Sequence, residues 1–247
     1  MYKQNSTICL LATDKHSYLE EQVKELKLYF KNVFIMIDKK YNNLQLPYLQ
    51  MENNPNYKNT HGGYTKQGYG AWSKALDYFN NLETENIWFI EYDVFYSSVD
   101  ILLKLNKYKE HLLVKSHIPY SNDKDWTNWN LFLSQNINDF DKNWFHSLTC
   151  ICRISKELLK LVTEFAKSHN TLFFHEILFN TIAEHNNLSI RCCDEFKYVE
   201  YKGNDKIKSF NINDIQKCGV NYVYHPIKDL DVHKDIKKNL FFFNKKK

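Results

Sequence analysis

The chain has 247 residues, a formal net charge of +4, 43% hydrophobic and 25% charged residues, and 16% aromatics with only 6 Gly and 4 Pro. That length supports one substantial core, and nothing in the composition calls for two. The small positive charge gathers at Lys234, Lys237, Lys238 and Lys245 to Lys247, which predicts a solvated basic tail over 230–247 behind a domain at 1–229 and gives no basis for a nucleic-acid partner.

Thr7 to Ala12 is a buried-strand pattern broken by Thr13-Asp14. Ser17-Tyr-Leu-Glu20 has the spacing of a capping box, and Leu19, Val23, Leu26 and Phe30 recur at helical period. Val33 to Ile37 is β-rich, so the chain opens as a βαβ unit with a parallel strand pair. The apolar run Ile8 to Ala12 is too short for a signal segment or a membrane span, which predicts a cytosolic-type protein. Residues 38–68 have no sustained period and read as a long loop, in which Lys66 stands between His61-Gly62-Gly63 and Gly68-Tyr69-Gly70 as a candidate phosphate contact.

A second amphipathic helix through Ala75, Tyr78, Phe79 and Leu82 leads to Asn86-Ile-Trp-Phe-Ile-Glu91-Tyr-Asp93. Here an apolar strand stops at two carboxylates, and alternation along a strand points Glu91 and Asp93 the same way. In open α/β sheets ligands bind outside the carboxyl ends of the strands. Carboxylates so placed suit a divalent cation that completes its shell with phosphate oxygens.

Helices are predicted at 98–105, 155–167 and 175–186, and strands at 111–115, 147–154, 188–193, 198–201 and 220–224. Trp126, Trp129 and Trp144 lie in an irregular stretch, where they serve either ligand stacking or a hydrophobic cluster beneath a loop. The six cysteines form no CxxC pair and mostly occupy strand-like runs, which argues for buried free thiols rather than a zinc site or disulfides. Glu176 opens a helix and is a candidate base for an acceptor hydroxyl. Tyr222 to Lys228 again ends a strand in polar groups, with His225 a candidate metal ligand and Lys228 a candidate phosphate partner. Neither a GxGxxG nor a GxxxxGK[ST] pattern occurs.

The segments ICLLATDKH, WSKALDYFNNLETENIWFIEYDVFYS, HEIL and VYHPIK, in that order over residues 6 to 229, resemble the nucleotide-sugar-dependent glycosyltransferases of GT-A fold, of the small kind found in bacteria and large DNA viruses. The resemblance implies a GT-A-like, Rossmann-type mixed sheet flanked by helices in a single α/β domain. It implies a nucleotide-diphosphate sugar donor, UDP-linked by preference, a carbohydrate acceptor, and Mn²⁺ or Mg²⁺. It places Asp93 and His225 on the metal, Glu91 near the ribose or metal, Lys228 near the diphosphate, and Ala12, Thr13 and Asp14 at the nucleotide. The DxD motif of that family is here Glu-x-Asp. The alternatives are a nucleotidyltransferase or metal-dependent phosphohydrolase using the same carboxylates, and a binding module without turnover; LLATDKHS lacks the Gly-rich, Arg/Lys-containing loop usual after the first strand of a nucleotidyltransferase.

Overall fold

The computed structural model describes residues 3–37, 39, 41–49, 59–60, 75–76, 78–126, 128–129, 140, 143–169, 171–172, 175–200 and 209–244. Lys66 and the glycines around it lie outside the described residues. In chain order the strands are β1 (Gln4–Ala12), β2 (Phe30–Ile37), β3 (Tyr48–Leu49), β4 (Asn59–Thr60), β5 (Asn86–Glu91), β6 (Phe95–Tyr96), β7 (Leu112–Val114), β8 (Ile118–Pro119), β9 (Phe145–His146), β10 (Ile151–Ser155), β11 (Thr171–Leu172), β12 (Ile190–Cys192), β13 (Tyr198–Val199) and β14 (Val223–His225). The helices are α1 (Ser17–Leu26), α2 (Asp100–Leu105), α3 (Lys156–His169), α4 (His175–His185), α5 (Ile212–Cys218) and α6 (Leu230–Asn244).

Seven strands form one mixed sheet in the order β12-β7-β10-β5-β1-β2-β3. β1 pairs in parallel with β2 on one side and β5 on the other. β10 alone in this sheet runs against its neighbours β5 and β7. Alternation along the central strands divides the core between the two faces. Cys9, Leu11, Ile87 and Phe89 pack with Leu158 and Val162 of α3 and Ile177 and Phe179 of α4. Ile8, Leu10, Trp88 and Ile90 pack with Leu19 and Val23 of α1 and Leu102 and Leu105 of α2. The result is the expected Rossmann-type α/β domain, a mixed sheet covered by helices on both faces.

Several local expectations give way to tertiary context. Helix α1 is capped by the His16 side chain, whose Nδ1 accepts from the Tyr18 amide, rather than by Ser17. It also stops at Leu26, because Phe30 already pairs with Gln4 as the first residue of β2, although Phe30 fits the helical period. Trp129 and Trp144 are buried in the main core, and Trp126 packs against it while stacking on His146 at 4.2 Å. The basic end differs most from expectation. Leu230–Asn244 is the helix α6, which returns to α1 through Lys234–Glu21 and Lys237–Glu25 ion pairs and buries His233 against the edges of Tyr18 and Phe95.

Arg153, in the reversed strand, is fully buried and donates to the carbonyls of Asn106, Tyr108 and Glu110, tying the segment after α2 to the sheet. Burial holds its pKa below the usual arginine range. Carbonyl oxygens stripped of their donor in a buried setting each carry a desolvation cost, partly offset here by the relief of a buried charge. Arg153→Met is therefore expected to lower unfolding stability by about 3 kcal/mol, measured by urea denaturation; a loss under about 1 kcal/mol would show that water replaces the guanidinium.

Candidate functional site

β5 delivers Glu91 at its carboxyl end, and the chain then leaves the strand. The Val94 amide donates to the Glu91 carbonyl at 3.0 Å, closing a turn, and the Tyr92 amide donates to Leu11 of β1. Asp93 is therefore brought beside Glu91 by a turn rather than by strand alternation. A three-stranded sheet, β13-β14-β6, supplies the third group. β14 runs antiparallel to β6, with Tyr224 opposite Phe95, so His225 comes level with the residues just after Asp93. The Ile227 amide fixes that approach by donating to the Asp93 carbonyl at 2.8 Å.

The three side chains converge. His225 Nε2 lies 3.3 Å from Asp93 Oδ1 and 3.8 Å from Glu91 Oε2. On its other side Nδ1 is 2.9 Å from the Glu200 carbonyl. A carbonyl only accepts, so Nδ1 carries a hydrogen and Nε2 is the nitrogen turned toward the carboxylates. In the neutral ring that nitrogen is a lone pair facing negative oxygens, an arrangement completed either by a proton or by a cation. Burial alone would push His225 down, but its contact with Asp93 and the charges of Asp93 and Glu91 outweigh it, and the imidazole titrates above its ordinary range. Asp93 Oδ1 is buried without an aligned hydrogen bond. These residues fit a divalent cation.

Glu176, in the first turn of α4, is buried beside the same group. Its carboxyl is pushed up to about 8, first by burial and then by the charge of Glu91, against hydrogen bonds from the Thr149 amide and the Asn128 side chain. Its Oε2 has no hydrogen-bond partner among the described residues. Cys150, which precedes β10, was not singled out by its sequence pattern, yet its thiol reaches Glu91 and His225: one ligand atom from each of the three lies within 4.8 Å of the others. Burial, followed by the charges of Glu91, Glu176 and Asp93, pushes that thiol well above the usual range. The signal that would have found it is the pairing of β10 with β5, which a single sequence does not reveal.

A cavity of about 290 Å³ lies at the carboxyl ends of β1 and β5, where the strand order reverses. It is lined by Ala12, Thr13, Asp14, Tyr92 and Lys228, so four of the residues expected at the donor share one hollow, whereas Glu91 is not part of its lining. Tyr92 stands between the two carboxylates in sequence, and Lys228 follows His225 by three residues. Lys39 bonds Asp14 at 2.7 Å and, with Lys15, holds its carboxyl below the ordinary range. A second cavity, of about 280 Å³, lies beside β12, but its cations are already engaged, Lys104 with Glu195 and Arg191 with Glu110, each at 2.7 Å.

No helix among the described residues is long and apolar enough to cross a membrane. No family model matches the chain, and no curated protein matches it. Among solved structures it is similar to a protein assigned as a glucose-1-phosphate thymidylyltransferase from Bacillus anthracis, in complex with sucrose, at 12% identity over 75% of this chain and 86% of that one, with a TM-score of 0.39. A similarity of that size assigns no activity to either chain's residues.

Proposed function

We propose that the protein is a cation-dependent glycosyltransferase of GT-A type, moving a sugar from a nucleotide-diphosphate donor to a hydroxyl of a carbohydrate acceptor. The observation that carries this proposal is the convergence of Glu91, Asp93 and His225 at the end of β5, with the free nitrogen of His225 turned toward both carboxylates, together with a hollow at the β1/β5 reversal. Few protein carboxylates on a cation leave positions that phosphate oxygens fill, so the ligand is a diphosphate. The imidazole favours Mn²⁺ over Mg²⁺.

A cation bound there supplies neutralisation of the charge that builds on the leaving diphosphate. Asp93 and His225 hold it, with Glu91 completing the set or meeting the ribose. Lys228 adds a point charge for the diphosphate, and Tyr92 offers an aromatic face to the nucleoside. Glu176, buried on the α4 side, takes the proton of the acceptor hydroxyl.

Binding to the native state alone raises the unfolding midpoint by mass action. The expected result is a midpoint increase that needs both Mn²⁺ and one nucleotide sugar among UDP-, GDP-, CMP- and dTDP-linked donors. No increase with any of these pairs would remove the donor assignment. An increase confined to a nucleoside triphosphate with a sugar 1-phosphate would replace sugar transfer by nucleotidyl transfer.

A further inference from the structure

We propose that Glu91, Cys150 and His225 form a mixed carboxylate, thiol and imidazole site that selects a thiophilic divalent cation, of the Zn²⁺ and Co²⁺ class, over Mg²⁺. The proposal rests on the placement of a cation at this cluster in the function proposed above, but not on sugar transfer. It follows from the reversed strand. With β10 antiparallel to β5 and Ile151 opposite Ile90, Cys150 comes opposite Glu91, and the Glu91 amide donates to the Cys150 carbonyl at 2.8 Å. The backbone thus fixes the thiol against the carboxylate.

Ligand atoms from the three residues all lie within 4.8 Å of one another. Bonds of about 2.0–2.3 Å to one tetrahedral ion draw its ligands closer than this, so the three side chains would turn inward on binding. The Glu200 carbonyl, on Nδ1, orients the His225 ring and leaves Nε2 to bind, as the partners behind a metal-bound histidine do. Two further buried oxygens, Asp93 Oδ1 and Glu176 Oε2, have no hydrogen-bond partner among the described residues. Asp93 and Glu176 are 7% and 5% exposed, so water has little access to these oxygens.

Mg²⁺ demands an octahedron of oxygens and gains nothing from sulfur, whereas thiolate is a preferred ligand of Zn²⁺ and Co²⁺. On binding, the Cys150 proton passes to solvent and the thiolate takes its place on the cation. Three protein ligands leave a fourth position open, which is how cation sites that act on a ligand differ from closed structural ones. The open position is where a phosphate oxygen enters.

The test is a Co²⁺ titration of the metal-free full-length protein, followed by absorption. The expected result is a near-ultraviolet thiolate-to-cobalt charge-transfer band at one equivalent, displaced by Zn²⁺ and not by excess Mg²⁺. Cys150→Ser is expected to remove the band and to weaken Co²⁺ binding about 10-fold or more, while Cys192→Ser, at an exposed thiol, leaves both unchanged. Wild-type protein that binds Co²⁺ without the band, or a Cys150→Ser variant that keeps it, overturns the thiol ligand. If Co²⁺ still binds without a band and that binding is lost in Asp93→Ala, the carboxylate–imidazole site of the proposed function stands and only this inference falls. If no divalent cation binds at all, both fall together. The wild-type spectrum decides the point even if Cys150→Ser does not fold.

Discussion

Asp93→Ala is expected to lower sugar-transfer turnover about 10³-fold or more and to abolish the cation dependence of donor binding. The size of the effect follows from what the carboxylate does in each state. Asp93 Oδ1 lies 3.3 Å from His225 Nε2, and its charge helps to hold the proton of that ring, so its removal takes away this one ion pair. The link between the Asp93 carbonyl and the Ile227 amide is made by the backbone and survives the substitution. The melting temperature is therefore expected to fall where His225 is protonated and to match the parent at higher pH, where the raised imidazole has lost its proton and the pair no longer contributes. Under the proposed function the same carboxylate would hold the cation that neutralises the leaving diphosphate, so its loss falls on turnover. Steady-state kinetics with the donor found by the midpoint screen, together with a circular dichroism melt, separate the two effects. Turnover within about tenfold of the parent would exclude Asp93 from the reacting site.

The elements from β1 to β2, and β5 with its acidic end, were legible because they rest on local pattern: apolar runs, period 3.6 between them, and an abrupt stop in charge. Convergence of the site was only partly legible. Glu91 and Asp93 were expected together for a reason the backbone does not use, since Asp93 is reached by the turn that the Val94 amide closes. His225 arrives through the pairing of β14 with β6, and Cys150 through that of β10 with β5. Neither pairing leaves a periodic trace in sequence. The last helix was hidden for a different reason. Its buried positions include His233, and its lysines read as a solvated run because their partners, Glu21 and Glu25, lie more than two hundred residues earlier on α1. Phe30 shows the converse, a local period overruled by a strand partner.

Glu176→Gln is expected to lower kcat by about 10² to 10⁴ with donor affinity unchanged, since the amide keeps the shape of the side chain but accepts no proton. The same substitution has an opposite expected effect on the cation-free fold. The Glu176 carboxyl is pushed from its ordinary 4.5 to about 8 by burial and by Glu91. Between those values the unfolded chain has released the proton that the folded protein still holds, so the folded state binds more protons and stability falls as pH rises from about 4.5 to about 8. Each unit of that shift is worth about 1.4 kcal/mol, which puts the total at several kcal/mol. Glutamine does not titrate, so the variant should lose this slope and be more stable than the parent at pH 8, measured by urea denaturation across the range. In the parent, a carboxyl still protonated at neutral pH is no base. Engaging Glu91 on a cation removes one of the two effects that hold the proton there, which couples base strength to cation occupancy and predicts that Mn²⁺ flattens the parent's slope. A parent whose stability does not fall between pH 5 and pH 8 would show that Glu176 is already ionised, and a variant with undiminished kcat would take it out of proton transfer altogether.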